Sequence, residues 1–294
     1  MNVLVIGHLS IDLLEGTGGA ETQQYGGIAR AVTTLGALLT GRDQVVPVSA
    51  VPAPEIGAVS ALFSAYPSVS TAGLYTGQHP LPRIPAPGVT RAAHGHAPQP
   101  PIPFEKIRRH LSADRILLNM VSGNDITLET LDEIRMAVRE RQVPIHLDLH
   151  NLTLRVSASG SLTHGPVELW RRWAFMVDTV QMNEQEIASL TVERLPEAEA
   201  AGHLLTLGPQ AVLVTRGARG VSVYRNDRKR VVREDIPGVA GREAAPGLGC
   251  GDVFGAAVVA RRGAGDDPLE AARTATAIAA ERCTREAAAP TTTT

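Results

Sequence analysis

Short apolar runs alternate along the chain with longer stretches whose apolar residues recur at helical spacing. Strands alternating with helices predict an α/β fold whose sheet is largely parallel. Val3–Gly7 reads as a buried strand, Gly27–Thr40 as a helix, Gln44–Val51 as a strand and Glu55–Ala65 as a helix. Ala113–Asn119 is the next strand, Leu128–Arg141 a helix and Pro144–Leu149 a strand. Phe175–Gln181 and Ala211–Thr215 read as strands, with a helix over Glu184–Leu190 between them. Val221–Arg225 and Lys229–Glu234 suit a β-hairpin around Asn226-Asp227. Helices over Asp252–Arg262 and Pro268–Arg285 close the chain, and the tail from Ala287 reads as frayed.

One stretch breaks the alternation. Residues 67–103 are rich in proline and glycine and hold two separated β-like pieces, Ser70–Tyr75 and Val89–Ala93. An interruption of that length inside a compact domain is expected of a functional lid or a disordered loop.

Composition narrows the function. A hydrophobic share of 44% and a net charge of -2 suit a globular protein and argue against a phosphate-neutralising nucleic-acid binder. The N-terminus lacks the basic region of a signal peptide, and no apolar run is long enough to span a bilayer, so the cytoplasm is the expected compartment. Cys250 and Cys283 are too few and too widely spaced to suggest a disulfide framework or a zinc site. His146 and His150 flank Asp148, but that spacing on a strand does not suit joint metal binding.

The most informative segment is Gly247-Leu248-Gly249-Cys250-Gly251-Asp252-Val253-Phe254-Gly255. Glycines leading into a helix leave N–H groups free at a positive helix end, a place for phosphate. A carboxylate there competes with phosphate, and taking a proton from an attacking hydroxyl gives Asp252 a reason to be present. Alone, the segment reads equally as a tight turn with an acidic cap. Asn183-Glu184-Gln185-Glu186 alone reads as an N-cap with acidic first-turn residues, and Thr215-Arg216-Gly217-Ala218-Arg219-Gly220 as a turn between strands.

Together, in this order, the three segments resemble the signatures of the ribokinase-like (PfkB) sugar and nucleoside kinases. The resemblance implies a three-layer α/β sandwich over residues 1–294, with a central mostly parallel sheet and a small β-lid drawn from about 10–25 and 67–103. It implies Asp252 as catalytic base, with the amides of Gly249, Cys250 and Gly251 as an anion hole. Asn183 and Glu186 then organise the water shell of Mg²⁺, while Thr215, Gly217 and Gly220 approach ATP. Gly7-His8-Leu9-Ser10-Ile11-Asp12 and Gly26-Gly27 resemble the substrate elements, with Asp12 accepting from hydroxyls and Gly26 and Gly27 allowing close approach. The expected partners are ATP and a small sugar, polyol or nucleoside, without nucleic acid or membrane, and a homodimer is compatible with the resemblance.

Pro246-Gly247-Leu248 departs from the family's hydroxyl and acidic residues there, which also help shape a K⁺ site. The departure motivates a second expectation, a ribokinase-fold binder of nucleotide or metabolite with impaired turnover. A dinucleotide oxidoreductase is excluded because Gly249, Gly251 and Gly255 are misspaced and at the wrong end of the chain. A Walker-type NTPase is excluded because no Gly-Lys-Ser/Thr exists.

Overall fold

Along the first strand, β1 (Asn2–Ile6), Val3 and Val5 enter one hydrophobic core while Leu4 and Ile6 enter another. A strand with both faces buried belongs in the middle of a covered sheet, and this is where it lies. The computed structural model describes residues 1–15, 21–85, 99–156, 162–228, 230–241 and 249–288. The piece Val89–Ala93, Lys229 and the segment Pro246-Gly247-Leu248 lie outside them.

After β1 come β2 (Leu9–Glu15), β3 (Glu21–Gly27), α1 (Ile28–Leu38), β4 (Gln44–Pro52), α2 (Ile56–Ser64), β5 (Leu74–Gly77) and β6 (Arg83–Pro85). Next are α3 (Phe104–Ile107), β7 (Arg115–Asn119), α4 (Leu128–Val138), β8 (Ile145–Asp148), β9 (Leu154–Val156), β10 (Leu162–His164) and α5 (Trp170–Phe175). The remainder is β11 (Thr179–Asn183), α6 (Glu184–Ser189), α7 (Glu197–Thr206), β12 (Ala211–Thr215), β13 (Gly220–Asp227), β14 (Arg230–Pro237), α8 (Cys250–Gly263) and α9 (Pro268–Ala288).

Among the described residues, nine strands form one sheet in the order β14, β13, β12, β11, β8, β7, β1, β4, β5. From β12 to β5 every pairing is parallel, and the hairpin β13–β14 adds two antiparallel strands at one edge. One face is covered by α4, α5 and α7 through Leu131, Ile134, Trp170, Trp173 and Leu204. The other is covered by α1 and α2, whose Ile28, Leu35, Val59 and Phe63 are fully buried, and by α8 and α9, whose alanines pack on Leu213 and Val223. This is the expected three-layer sandwich. A separate sheet of β3, β2 and β6 falls on the segments expected to supply a lid. No helix among the described residues is long and apolar enough to cross a membrane.

Two local readings change. Phe175, expected to open a strand, ends α5 instead, and β11 begins at Thr179. The cause is a helical period: Trp170, Trp173 and Ala174 bury one face of a short helix. The cysteines, read as unrelated, are joined in a disulfide 33 positions apart in sequence, with Cα atoms 6.1 Å apart. Tertiary packing of α8 on α9 brings them together, and sequence spacing carries no trace of it.

Gly220 marks the entry to the edge hairpin. Its φ is +99°, and a Cβ there meets the Ile236 carbonyl oxygen at 2.0 Å. Gly220→Ala is expected to lower unfolding free energy by about 1–3 kcal/mol through backbone strain. Urea unfolding with an unchanged slope checks this, and an unaltered midpoint would rule out a packing role for this glycine.

Candidate active site

The parallel strands end along one edge of the sheet, where ligands of open α/β sheets gather. Polar residues interrupt the apolar strands there: Asn119 closes β7, Asp148 closes β8, Asn183 closes β11 and Thr215 closes β12. α8 starts beside them. Its N-cap, Gly249, adopts a left-handed conformation (φ 62°, ψ 34°) and offers no side-chain cap. A Cβ at Gly249 falls 2.2 Å from Arg30 Cδ and 2.7 Å from Asp252 Oδ2. Only glycine fits. Cys250, Gly251 and Asp252 form the first turn, whose N–H groups have no partners within the helix itself.

Asp252 is 4% exposed. Burial raises its pKa, and the charges of His150 and Arg30 and a hydrogen bond from Asn119 oppose that rise. The Asn119 amide Nδ2 donates to Asp252 Oδ1 at 2.5 Å. Gln181 steadies the same turn: its Nε2 donates to the Gly251 carbonyl at 2.9 Å and to Asp148 Oδ2 at 3.0 Å. Asp148 is pushed well above the carboxylate range by burial. Burial alone lowers the His150 pKa, but the surrounding Asp252, Asp148 and Glu186 carboxylates overcome this and lift it to about 9. His150 is therefore a cation at neutral pH among buried acids.

On the acceptor side, Asp12 is 8% exposed and accepts from Ser10 Oγ at 2.8 Å and from Arg30 Nη2 at 3.1 Å. Gly26 lies under its carboxylate, where a Cβ meets Asp12 Oδ1 at 2.1 Å, and Gly27 begins α1 at φ 60°. These glycines make room for this chain's own groups. Arg30, one turn into α1, reaches both Asp12 and the ground beneath Gly249, so the acceptor carboxylate and the first turn of α8 share one guanidinium. Three buried polar atoms around the cleft have no hydrogen-bond partner among the described residues: His8 Nε2, Gln24 Nε2 and Asn119 Oδ1. Gln24 lies directly across from Asp12 in the β2–β3 register.

On the donor side, Asn183 and Glu186 form a reciprocal capping box. Asn183 Oδ1 accepts from the Gln185 and Glu186 amides, each at 2.9 Å. Glu186 takes the Asn183 backbone N–H at 2.7 Å and its Nδ2 at 2.6 Å. Both residues thus serve the helix start. Glu186 is nonetheless 5% exposed, and burial raises its pKa to about 7. A carboxylate so poorly solvated favours a nearby cation. No group of three acidic, His or Cys ligands capable of holding a metal exists among the described residues. The donor set fits a Mg²⁺ carried by phosphates and touched by Glu186 through water, as Mg²⁺ prefers. His146, buried with its pKa lowered to about 4 by that burial, pairs with Gln181.

Thr215 and Gly217 stand at the same edge. Gly217 has φ +57° and open space beyond its Cα, leaving its backbone approachable, whereas Gly220 is packed beneath the hairpin. Arg216 between them binds Glu184 at 2.5 Å and Glu197, and so joins the turn to α6 and α7. Arg155, on β9, donates to the Leu152 and Leu154 carbonyls.

The sequence reading did not assign Asn119, Gln181, Arg30 or His150 to the site. Their signal was there. Asn119 and Gln181 are polar residues near the ends of apolar strands, and Arg30 is a charge inside an otherwise apolar helix turn.

Comparison with known proteins follows the same lines. Residues 160–294 match the pfkB family carbohydrate kinases. No curated protein matches the chain in sequence. A pyrophosphate-dependent kinase in the ribokinase family, solved as a sulfate complex, superposes with a TM-score of 0.72 at 17% identity, covering 96% of this chain and 95% of its own. Ribokinase from Thermotoga maritima gives 0.68 at 22% identity over 97% and 93%. Arabidopsis thaliana ribokinase, complexed with ribose and ATP, gives 0.66 at 19% identity over 95% and 91%. The chain thus has the ribokinase fold, and its residues 160–294 are similar to the pfkB family carbohydrate kinases.

Proposed function

We infer that the chain is a kinase that transfers a phosphoryl group from ATP to a hydroxyl of a small sugar, polyol or nucleoside. The observation that carries this reading is Asp252: a buried carboxylate in the first turn of a glycine-capped helix, oriented by Asn119 and linked through Arg30 to Asp12. The sheet of β2, β3 and β6 serves as the lid over the acceptor, whose hydroxyls bond to Asp12 and to the buried polar atoms around it.

In this reading Asp252 accepts the proton of the attacking hydroxyl as the oxygen approaches phosphorus. Burial and its raised pKa make it a stronger base than an exposed aspartate. Asn119 fixes which carboxylate oxygen faces the acceptor. The Gly249–Gly251 amides and the helix dipole meet charge on the transferring group. His150 offsets part of the negative charge on Glu186 and Asp252, which lowers the repulsion an anionic donor meets. Mg²⁺, when bound with the donor, supplies further charge neutralisation near Asn183 and Glu186. Positioning and electrostatics are the main sources of rate in such transfers.

Three of the similar structures concern pyrophosphate-dependent kinases, one of them complexed with a pyrophosphate analog and myo-inositol. The test is therefore a product assay crossing ATP and pyrophosphate with pentoses, hexoses, inositols and nucleosides. Phosphorylated product from no pair would reject the reading and favour a binder without turnover.

With a productive pair in hand, Asp252→Asn is expected to cut turnover by about two to four decades and leave donor affinity nearly intact. Turnover at the wild-type rate would make Asp252 a helix cap. Because Asp252 works as a base, activity falls as pH drops through its pKa. Removing the Asn119 hydrogen bond in Asn119→Ala raises that pKa, so the acid limb of the pH–rate profile is expected to move to higher pH. An unmoved limb would remove Asn119 from the mechanism. Glu186→Gln is expected to raise the Mg²⁺ concentration for half-maximal activity, and an unchanged requirement would confine Glu186 to its capping box.

A further inference from the structure

Cys250 belongs to the first turn of α8, so its backbone lies in the proposed anion hole, and its sulfur is bonded to Cys283 of α9. We propose that this pair is a redox modification site whose disulfide holds the anion hole in order, so that the oxidation state of the chain sets its affinity for the phosphate donor. The inference rests on the kinase reading for its consequence, but the physical step stands on α8 itself.

Besides the hydrogen bonds that Asn119 and Gln181 bring from neighbouring strands, the turn's own sequence does little to hold it. Its N-cap is a glycine without a side-chain cap, and Gly251 and Gly255 add conformational freedom within the first six positions. Gln181 holds one carbonyl of the turn. The disulfide adds a covalent anchor at the first helical residue and removes chain freedom between two points 33 residues apart. On the other side of the bond, Cys283 is fully buried, and its neighbour Arg282 donates to Thr33 of α1 at 2.7 Å. Thr33 in turn donates to the Arg30 carbonyl at 3.2 Å. The bond therefore ties α8 to the end of α9, which grips the helix carrying Arg30.

The chemistry is accessible from one side only. Cys250 is partly exposed and sits at a helix N-terminus, where a thiolate is stabilised, while Cys283 is closed to solvent. Oxidation by a low-molecular-weight disulfide such as oxidised glutathione starts with the Cys250 thiolate attacking one sulfur and releasing one glutathione thiolate. The Cys283 thiolate then attacks the mixed disulfide at Cys250 and releases the second. The two cysteines lose two electrons and two protons, and one glutathione disulfide becomes two thiols. Reduction by a dithiol reverses both steps.

The test compares oxidised wild type, dithiothreitol-reduced wild type and Cys283→Ser, each confirmed as folded by circular dichroism, with thiol state read by alkylation and mass. Amide hydrogen exchange of residues 249–255 is measured without ligand, and affinity is measured for ATP and for inorganic pyrophosphate. Exchange in that segment is expected to be at least about tenfold faster in the reduced protein and in Cys283→Ser than in the oxidised protein. Donor affinity is expected to fall by a similar factor. Equal exchange in all three overturns the proposal whatever the donor does. Faster exchange with no donor bound in any form sustains the redox site and counts against the kinase reading alone.

Discussion

A carboxylate almost shut off from water has to be held by something other than water, and the candidate site is built around how this chain holds Asp252. Asn119 gives it a hydrogen bond, His150 and Arg30 give it positive charge, and the first turn of α8 supplies the helix end on which it stands. Each holder comes from a different element: β7, the loop after β8, and α1. None of these contacts forms until the sheet has assembled with its strands in register. The site is therefore a late product of folding, and its polar residues are tolerated at the sheet edge because two apolar cores support the strands behind them.

Charge is distributed economically across the cleft. Asp12 and Arg30 form a pair that is nearly neutral as a unit, while Asp148, Glu186 and Asp252 outnumber His150 on the opposite side. Burial drives all three acids toward protonation, and the single imidazolium and the Asn119 amide act in the other direction. A site in that balance responds strongly to any added cation.

Much of this was legible in the residues. The buried strands, the closing helices and the edge hairpin follow from apolar period and turn residues, and the glycines before Asp252 mark the helix start that α8 shows. The boundary at Phe175 was not, because Phe175, Met176 and Val177 continue the apolar run of the strand, while Phe175 itself ends a helix set by the spacing of Trp170, Trp173 and Ala174. Asn119 and Gln181 escaped because a single amide at a strand end has no motif, and its meaning depends on which strand lies beside it. The disulfide was illegible for the same reason. Asn183 and Glu186 show the converse: the N-cap that the segment suggests on its own is present as a reciprocal capping box.

The sheet of β2, β3 and β6 has a consequence for how such a protein diverges. Its strands take no part in the nine-stranded sheet, and among the described residues it contributes Leu9 to the main cores, with Ile11 and Tyr25 packed against them. Replacements there cost little folding free energy compared with replacements in β7 or β11. Residues of that sheet can therefore drift under selection while the polar strand ends stay constrained by the cores beneath them. On the kinase reading proposed above, acceptor choice and catalytic competence become separately heritable traits within one chain.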